Sequence, residues 1–258
     1  MKAAVYDKPG PPSVLRYADV PDPVCGPEDV LIAVAAISIE GGDLINRRSV
    51  PQRSSWIVGY AAAGTVAAIG ENVRDRAVGQ RVTAFNMDGS HAELWAVPAS
   101  RTWPIPQGLD MMRAAATPIG FGTVQHMLFD NAKLEPGETI LVQAGGSGIG
   151  TAAIQLAKKM GCTVITTVGS DDKIERAKAL GADAVVNSAN EDPVERVKAF
   201  TGGRGPDIVF ECVGGEMMPR TLPQATKMVR RAGKVVIVGG FDDGETSIPL
   251  EWQRLQMS

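Results

Sequence analysis

The sequence predicts an α/β protein with two parts, a β-rich N-terminal domain of barrel-like type and a C-terminal domain built on a doubly wound parallel sheet. Three observations lead to this prediction. Short apolar runs separated by Pro and Gly fill the first half, apolar strands alternate with helical segments in the second, and a glycine-rich turn joins the first of those strands to its helix. Continuous apolar strands indicate a sheet that is covered by helices on both faces.

The first half contains short strands bounded by turn residues. The predicted strands are 1–7, 15–20, 29–39, 62–69, 80–85 and 91–97. Segment 109–129 is predicted to be mostly helical and to connect the two halves. We therefore expect a catalytic or substrate domain over 1–120 and a nucleotide-binding domain over 121–258.

The second half repeats a strand–helix unit. The predicted pairs are strand 139–143 with helix 149–160, 162–168 with 171–180, 184–187 with 192–200 and 207–213 with 216–231, followed by strand 234–240. Right-handed crossovers between parallel strands would make this sheet doubly wound.

The glycine-rich turn between strand 139–143 and its helix is the most informative motif in the chain. A helix that begins directly after such a turn presents free backbone N–H groups and its positive dipole end to a phosphate. The turn departs from the usual G-x-G-x-x-G pattern because position 147 is serine, and a glycine turn alone can be purely conformational. The strand before it and the helix after it favour a dinucleotide site. Its expected contacts are Gly145, Ser147, Gly148, Ile149 and Gly150.

The composition narrows the class of protein. The 258 residues carry a net charge of −3 and no run of Lys or Arg, which argues against nucleic-acid binding. No apolar stretch approaches the length of a membrane span, and the chain begins with a strand rather than a signal peptide. The three cysteines are scattered, so neither a disulfide framework nor a zinc lobe is indicated. We expect a cytoplasmic protein.

Several motifs occur in an order that resembles the medium-chain dehydrogenase/reductase superfamily, and within it the zinc-independent quinone oxidoreductases, the ζ-crystallin-like branch. They are Ser38-Ile-Glu-Gly-Gly-Asp43, Val58-Gly-Tyr-Ala-Ala-Ala-Gly-Thr-Val66, Val78-Gly-Gln-Arg-Val82, Gly89-Ser-His-Ala-Glu93, Gly145-Gly-Ser-Gly-Ile-Gly150 and Ala179-Leu-Gly-Ala-Asp183. The resemblance implies a GroES-like N-terminal domain, a Rossmann domain, and a small-molecule quinone or enone as substrate.

The resemblance also implies an enzyme without a metal. Zinc-dependent relatives hold their catalytic metal with a Cys, a His in a Gly-His-Glu motif, and a third Cys or His. The counterparts here are Glu40, Tyr60 and Ile119, which form a poor zinc site. His91 and His126 lie outside these positions and are interpreted as an ordinary strand residue and an ordinary helix residue. Without a Lewis acid, hydride transfer favours a quinone or an α,β-unsaturated carbonyl, because the resulting anion is delocalised.

Tyr60 and Asp43 are the candidate catalytic residues. They are expected to flank a cleft between the domains, where Tyr60 would donate a hydrogen bond or a proton, although it is also interpretable as an aromatic wall. Asp43 opens a predicted helix over 43–48, so capping is an equal explanation. Glu40 is expected to be structural. Thr123 matches a threonine that lies against the cofactor in the family; alternatively, its hydroxyl bonds its own helix.

NADPH is the predicted cofactor. An acid at the end of the second strand would bind the ribose diol of NAD, and this position is Gly169, with Ser170 and Lys173 nearby. Asp171 and Asp172 would oppose a phosphate, but they are explained as first-turn acids of a helix capped by Ser170. The residues Val213, Gly239 and Gly240 end two further strands where the backbone can approach the ribose and the nicotinamide.

Compared with the family, the chain ends before one more parallel strand and a return segment, and 248–258 is predicted to be the helix that precedes that strand. A homodimer is expected if the missing strand is present in the native protein. Two alternatives to a quinone or enone reductase remain. One is a nonenzymatic NADPH-binding protein or an inactive truncated family member, and the other is an alcohol dehydrogenase with an atypical site.

Overall fold

The computed structural model describes residues 1–51 and 56–240. The chain divides into two compact units, an N-terminal unit of Met1–Ile119 and a C-terminal unit of Gly120–Ser258. The first unit consists mainly of antiparallel strands, and the second alternates parallel strands with helices. The predicted α/β fold class is confirmed. In the described part of the chain, no helix is long and apolar enough to cross a membrane.

The N-terminal unit contains two antiparallel sheets. Their strands are β1 (Lys2–Tyr6), β2 (Arg16–Asp19), β3 (Asp29–Ile37), β4 (Trp56–Ile57), β5 (Ala61–Ile69), β6 (Arg81–Phe85), β7 (Leu94–Pro98) and β8 (Thr102–Pro104). The sheets have the orders β7-β3-β5-β6-β8 and β2-β1-β4. Helices α1 (Gly41–Ser49) and α2 (Met111–Ala115) complete the unit. Strands β4 and β8 were not predicted, because two or three residues are too few to show an alternating pattern.

Two local predictions in this unit were wrong. His91 does not lie in a strand: its N–H donates to the Val58 carbonyl and its carbonyl accepts from the Ala4 N–H, but these bonds do not continue as a ladder, and β7 begins only at Leu94. Helix α1 begins at Gly41 rather than at Asp43, and Glu40 holds the N-cap position. Asp43 is therefore the third helical residue, and its carboxylate accepts a hydrogen bond from the Glu40 N–H at 2.9 Å.

The C-terminal unit is a five-stranded parallel sheet between two layers of helices. Helix α3 (Thr117–Val124) leads into it and continues as π-helical turns over Gln125–Asn131. The remaining elements are β9 (Thr139–Val142), α4 (Gly148–Lys159), β10 (Thr163–Val168), α5 (Ile174–Ala179), β11 (Ala184–Asn187), α6 (Pro193–Phe200), β12 (Ile208–Glu211), α7 (Met218–Met228) and β13 (Lys234–Ile237). The strand order β11-β10-β9-β12-β13 confirms the doubly wound sheet.

Both faces of this sheet are buried. Ile140 packs in one apolar cluster with Ile154 of α4, and the next residue, Leu141, packs in another with Leu222 and Met228 of α7. Successive side chains of a strand point to opposite faces, so burial on both sides favours apolar residues at nearly every position. This explains why the strands of the second half appear as continuous apolar runs.

Several element ends differ from prediction. Segment 171–180 begins as a 3₁₀ turn over Asp171–Lys173 before α5, and the Ser170 side chain makes no capping hydrogen bond. Helix α7 ends at Met228, and strand β13 ends at Ile237, so Gly239 and Gly240 follow the strand instead of belonging to it. The helix predicted over 248–258 lies outside the described residues.

Candidate functional site

The glycine-rich turn between β9 and α4 forms a capped helix N-terminus. Ser147 occupies the N-cap position of α4, and its Oγ accepts a hydrogen bond from the Gly150 N–H at 3.0 Å. The Ser147 N–H in turn donates to the Ala144 carbonyl at 2.9 Å, and Ala144 adopts a left-handed φ of 58°. The serine at the position where the dinucleotide pattern has glycine therefore supplies the helix cap.

Of the four glycines in this turn, two permit close packing and one leaves the backbone open. A Cβ at Gly145 would meet the Thr166 hydroxyl, and a Cβ at Gly150 would meet the Ala144 carbonyl oxygen, so both glycines permit close packing within the turn and against β10. A Cβ at Gly148 would find no atom within 4 Å. The backbone at Gly148 is thus open to a ligand, beside Ile149 in the first helical turn, where backbone N–H groups lack helical partners. This arrangement fits a pyrophosphate.

The end of β10 is also open. Gly169 is exposed, and a Cβ placed on it would meet nothing within 4 Å. The aliphatic stem of Lys173 lies over the glycine-rich turn, 3.0 Å from a Cβ built on Gly146. Ser170 follows in an extended conformation and is partly exposed. The structure therefore places Lys173 over the glycine-rich turn and Gly169 in one cavity with Ala144 of that turn, while Ser170 follows Gly169 along the chain.

A cavity of about 210 Å³ adjoins this edge of the sheet. It lies at the carboxyl ends of β9, β10, β11 and β12, on the side of α6 and α7. In an open α/β sheet this edge is where ligands bind. Its lining consists of Gln143, Ala144, Thr167, Val168, Gly169, Ser188, Pro193, Val213, Met217, Arg220, Thr221 and Gln224.

The turns that follow β12 and β13 touch each other. Gly214 and Gly215 both adopt positive φ values, and the Gly215 N–H donates to the Gly240 carbonyl at 2.7 Å. A Cβ on Gly214 would come within 2.9 Å of the Gly239 Cα. Close contact between the two backbones thus requires glycine at these positions. The predicted residues Val213, Gly239 and Gly240 are brought together by this contact.

A buried carboxylate supports the turn after β12. Glu211 is fully buried, and its Oε1 accepts hydrogen bonds from the Thr221 hydroxyl at 2.8 Å and from the Val213 N–H at 3.2 Å. The neighbouring Cys212 thiol donates to the Gln143 carbonyl at 2.7 Å, and burial raises the pKa of this thiol to about 12. Cys212 therefore stays a neutral thiol at neutral pH and is not a nucleophile.

Tyr60 and Asp43 lie in one polar cluster of the N-terminal unit. The Tyr60 hydroxyl accepts a hydrogen bond from the Gly42 N–H at 3.3 Å. Burial, together with the negative charge of Asp43, raises the pKa of Tyr60 to about 12. Asp43 is buried, which raises the pKa of its carboxyl, although the Glu40 N–H and His91, 3.9 Å away at Nε2, act in the opposite direction.

Thr123 is partly buried in α3, in the C-terminal unit.

Four polar residues near the carboxyl ends of the strands were not predicted from the sequence: Gln143, Glu211, Asn187 and Arg220. Gln143 and Glu211 were detectable as polar residues at the ends of the apolar runs Ile140-Leu-Val and Ile208-Val-Phe, because buried polar side chains in such positions need specific partners. Asn187 and Arg220 gave no such signal. In the described part of the chain no three His, Cys, Asp or Glu residues are grouped as metal ligands would be.

Two family models match the chain. The zinc-binding dehydrogenase model matches residues 148–257, and the alcohol dehydrogenase GroES-like domain matches residues 26–107. A 2-haloacrylate reductase from Burkholderia sp is 30% identical over 228 residues, which are 85% of this chain and 68% of that protein. This chain belongs to the medium-chain dehydrogenase/reductase superfamily. The predicted membership, the GroES-like domain and the Rossmann domain are confirmed.

Solved structures refine the family assignment. Escherichia coli quinone oxidoreductase, solved in complex with NADPH, is 28% identical with a TM-score of 0.85, covering 95% of this chain and 76% of its own. A structure described as an NAD-dependent alcohol dehydrogenase is 31% identical with a TM-score of 0.89, covering 99% and 82%. Other curated relatives are much longer, and this chain spans 9% to 40% of them. The family is one of oxidoreductases, and its quinone oxidoreductase branch is similar to this chain throughout both units.

Proposed function

We propose that this protein is an NADPH-dependent reductase of quinones or α,β-unsaturated carbonyl compounds that works without a metal. The observation that carries the proposal is the open end of β10 at Gly169, close to the glycine-rich turn, over which the Lys173 stem lies and which leads into the capped N-terminus of α4. An NAD site would carry an acid at this strand end to bind the ribose diol. Escherichia coli quinone oxidoreductase, whose structure contains NADPH, supports the same choice.

The C-terminal unit would hold the cofactor along its carboxyl edge. The backbone N–H groups of Gly148 and Ile149 would bind the pyrophosphate, supported by the dipole of α4. Ser147 and Gly150 would shape this site through the helix cap, in which the Gly150 N–H donates to the Ser147 hydroxyl. Gly169, Ser170 and Lys173 would accommodate the 2′-phosphate. The nicotinamide half would lie toward Thr123, Val213, Gly239 and Gly240, where a Cβ built on Gly240 would meet no atom within 4 Å. When bound, the reduced nicotinamide supplies a hydride.

Tyr60 of the N-terminal unit is proposed as the hydrogen-bond or proton donor to the substrate oxygen. Because its pKa is about 12, the phenol keeps its proton at neutral pH. Its oxygen accepts from the Gly42 N–H, which leaves the O–H group available to donate. The nearby Asp43 carboxylate disfavours the phenolate and so helps to retain the proton. Asp43 acts in this scheme as a positioning residue.

The residues at the zinc-ligand positions of metal-dependent relatives limit the substrate. Glu40, Tyr60 and Ile119 offer a poor ligand set for zinc, so an alkoxide formed from a simple ketone would lack strong stabilisation. Hydride addition to a quinone or an enone gives a delocalised anion that a single phenol can stabilise. The name of the similar 2-haloacrylate reductase denotes an α,β-unsaturated acid, which belongs to this activated class.

The test is the decay of nicotinamide absorbance with NADPH or NADH in chelator-treated buffer, with a quinone, an enone and a simple ketone offered separately. Turnover of the quinone or the enone with NADPH preferred supports the proposal. Binding of NADPH without turnover of any acceptor would favour a nonenzymatic cofactor-binding protein.

An alcohol dehydrogenase is the second candidate, because a structure described as an NAD-dependent alcohol dehydrogenase has a TM-score of 0.89 to this chain. Reduction of NAD or NADP driven by a simple alcohol would favour it. That reaction requires stabilisation of an alkoxide, which the residues at the zinc-ligand positions do not provide. The same assay run in the oxidative direction separates the two candidates.

A further inference from the structure

Arg220 lies in α7 on the wall of the 210 Å³ cavity at the carboxyl edge of the parallel sheet. Its side chain is exposed, and within residues 1–51 and 56–240 no group forms a hydrogen bond or an ion pair with it. A guanidinium presents several N–H donors in a planar fork that matches the oxygens of a phosphate. Arg220 is thus a cation available for an anionic ligand in this cavity.

Gly169 lines the same cavity as Arg220. Lys173 does not line the cavity; its stem lies over Gly146 of the glycine-rich turn, next to Ala144, which does. An anion beside Gly169 would therefore have the Arg220 guanidinium on the cavity wall from α7, in addition to the Lys173 side chain over the turn. Close to Gly169, the Asp171 carboxylate accepts a hydrogen bond from the Asn187 side-chain amide at 2.7 Å, which directs it toward the end of β11.

The interior of the cavity also carries an unsatisfied acceptor. Gln143 is buried, and its amide nitrogen donates to the Thr221 carbonyl at 3.2 Å, while its Oε1 has no hydrogen-bond partner among the described residues. Buried polar atoms are normally paired, so this oxygen is suited to a donor from a ligand. At about 210 Å³ the cavity is smaller than the ~300–1,000 Å³ typical of pockets for whole drug-sized ligands. It suits one part of a larger nucleotide.

We propose that Arg220 is a determinant of NADPH specificity, binding the 2′-phosphate from α7 in addition to Lys173. The inference rests on the proposed function, in which Gly169 marks the position of the adenosine ribose. It adds a residue from α7 to the predicted set of Gly169, Ser170 and Lys173. The guanidinium distinguishes NADPH from NADH because only NADPH carries the 2′-phosphate.

The test compares two fragments that differ in the 2′-phosphate, adenosine 2′,5′-bisphosphate and adenosine 5′-monophosphate, by isothermal titration calorimetry. The variants are Arg220→Gln, Arg220→Lys and Arg231→Gln. Arg231 is a matched control, because it is exposed and precedes β13. It therefore lies at the amino ends of the strands, away from the cavity at their carboxyl ends. Thermal unfolding of each variant confirms that it folds.

Arg220→Gln is expected to weaken the bisphosphate about tenfold, the loss typical of a charge-assisted hydrogen bond, and the monophosphate by less than about twofold. Arg220→Lys should restore part of the affinity, and Arg231→Gln should change neither constant. If Arg220→Gln weakens the affinity for both fragments equally, or for neither, the role of Arg220 is overturned while the proposed function stays intact. Failure of the unaltered protein to bind NADPH or either fragment would overturn the proposed function as well.

Discussion

The side-chain amide of Asn187 donates a hydrogen bond to the carboxylate of Asp171, with 2.7 Å between Nδ2 and Oδ1. Asn187 ends β11, and Asp171 begins the 3₁₀ turn after β10, so the contact ties together two neighbouring strand ends. The contact directs the Asp171 carboxylate toward the end of β11, and the hydrogen bond does not remove its negative charge. The residue at the end of β10 is therefore Gly169, and the cations Lys173 and Arg220 would have to outweigh Asp171 at the proposed phosphate position.

Replacing Gly169 with aspartate should reverse the cofactor preference. The site has room for the side chain, because a Cβ there meets nothing within 4 Å. The new carboxylate would repel the 2′-phosphate and accept hydrogen bonds from the ribose diol of NADH. We expect the Kd for NADPH to rise at least about tenfold and the Kd for NADH to fall, as measured by fluorescence titration. Gly169→Ala is the control, and an equal effect of alanine would contradict the charge argument.

Gly148 and Gly150 should respond differently to alanine. Gly150→Ala forces a methyl group onto the Ala144 carbonyl, and overpacking of this kind costs about 1–3 kcal/mol in the free energy of unfolding. Gly148→Ala meets no atom, so stability should change by less than about 1 kcal/mol. Its methyl would occupy the approach of the pyrophosphate, and NADPH should bind at least about tenfold more weakly. Urea unfolding without cofactor measures the change in stability, and cofactor titration measures the change in affinity. Equal destabilisation by the two substitutions would refute the distinction between a packing role for Gly150 and a binding role for Gly148.

Tyr60→Phe tests the proton donor. Removing the hydroxyl should lower kcat for a quinone at least about tenfold, with little change in the Kd for NADPH. Because the pKa of Tyr60 is about 12, the rate of the unaltered enzyme should show no loss attributable to this phenol between neutral pH and about pH 10. An unchanged kcat in Tyr60→Phe would mean that the hydroxyl is not the proton donor and that Tyr60 lines the site only with its aromatic ring.

The raised pKa of Tyr60 also predicts how stability depends on pH. The unfolded phenol ionises near its ordinary pKa of about 10, whereas the folded phenol keeps its proton to about 12. This contribution to stability is fully present below about pH 10 and is lost as the pH rises through 12. Tyr60→Phe should therefore lose less stability than the unaltered protein over that interval, as followed by urea unfolding at several alkaline pH values.

Asp207 should govern part of the acid stability of the C-terminal unit. Burial opposes its ionisation, but the Thr139 N–H and the guanidinium groups of Arg204 and Arg230 outweigh that effect and hold the pKa of the carboxyl below its ordinary value. A lowered pKa contributes stability that is present at neutral pH and is lost as the pH falls below about 4, through the folded pKa.

Asp207→Asn should therefore cost about 1.5–3 kcal/mol at neutral pH, because the hydrogen bonds from the two guanidinium groups lose their charged acceptor. The cost should shrink in acid, where the unaltered carboxyl is protonated. Glu175→Gln is the control, since its pair with Lys178 is exposed and such surface pairs contribute about 0.5 kcal/mol or less. A cost for Asp207→Asn that does not vary between neutral and acidic pH would contradict the ionic explanation.

The sequence by itself determined the parallel sheet and the position of the glycine-rich turn. Burial on both faces demands continuous apolar strands, and the glycine turn needs specific small residues at fixed spacing, so both leave local patterns. Even there the serine at position 147 looked like a departure, and only the structure showed that its hydroxyl caps α4 at the Gly150 N–H. The boundaries of α5 and α7 were less accurate, because helix ends depend on contacts outside the helix.

Tertiary structure alone decided which distant residues meet. Arg220 and Gly169 are 51 positions apart and line one cavity, and His91 lies beside Asp43 although it was interpreted as an ordinary strand residue. The raised pKa of Tyr60 likewise comes from burial and from the Asp43 charge in space. Such relationships depend on how strands are ordered and packed, which no local spacing encodes, whereas the strands and the glycine turn depend on residues that are neighbours along the chain.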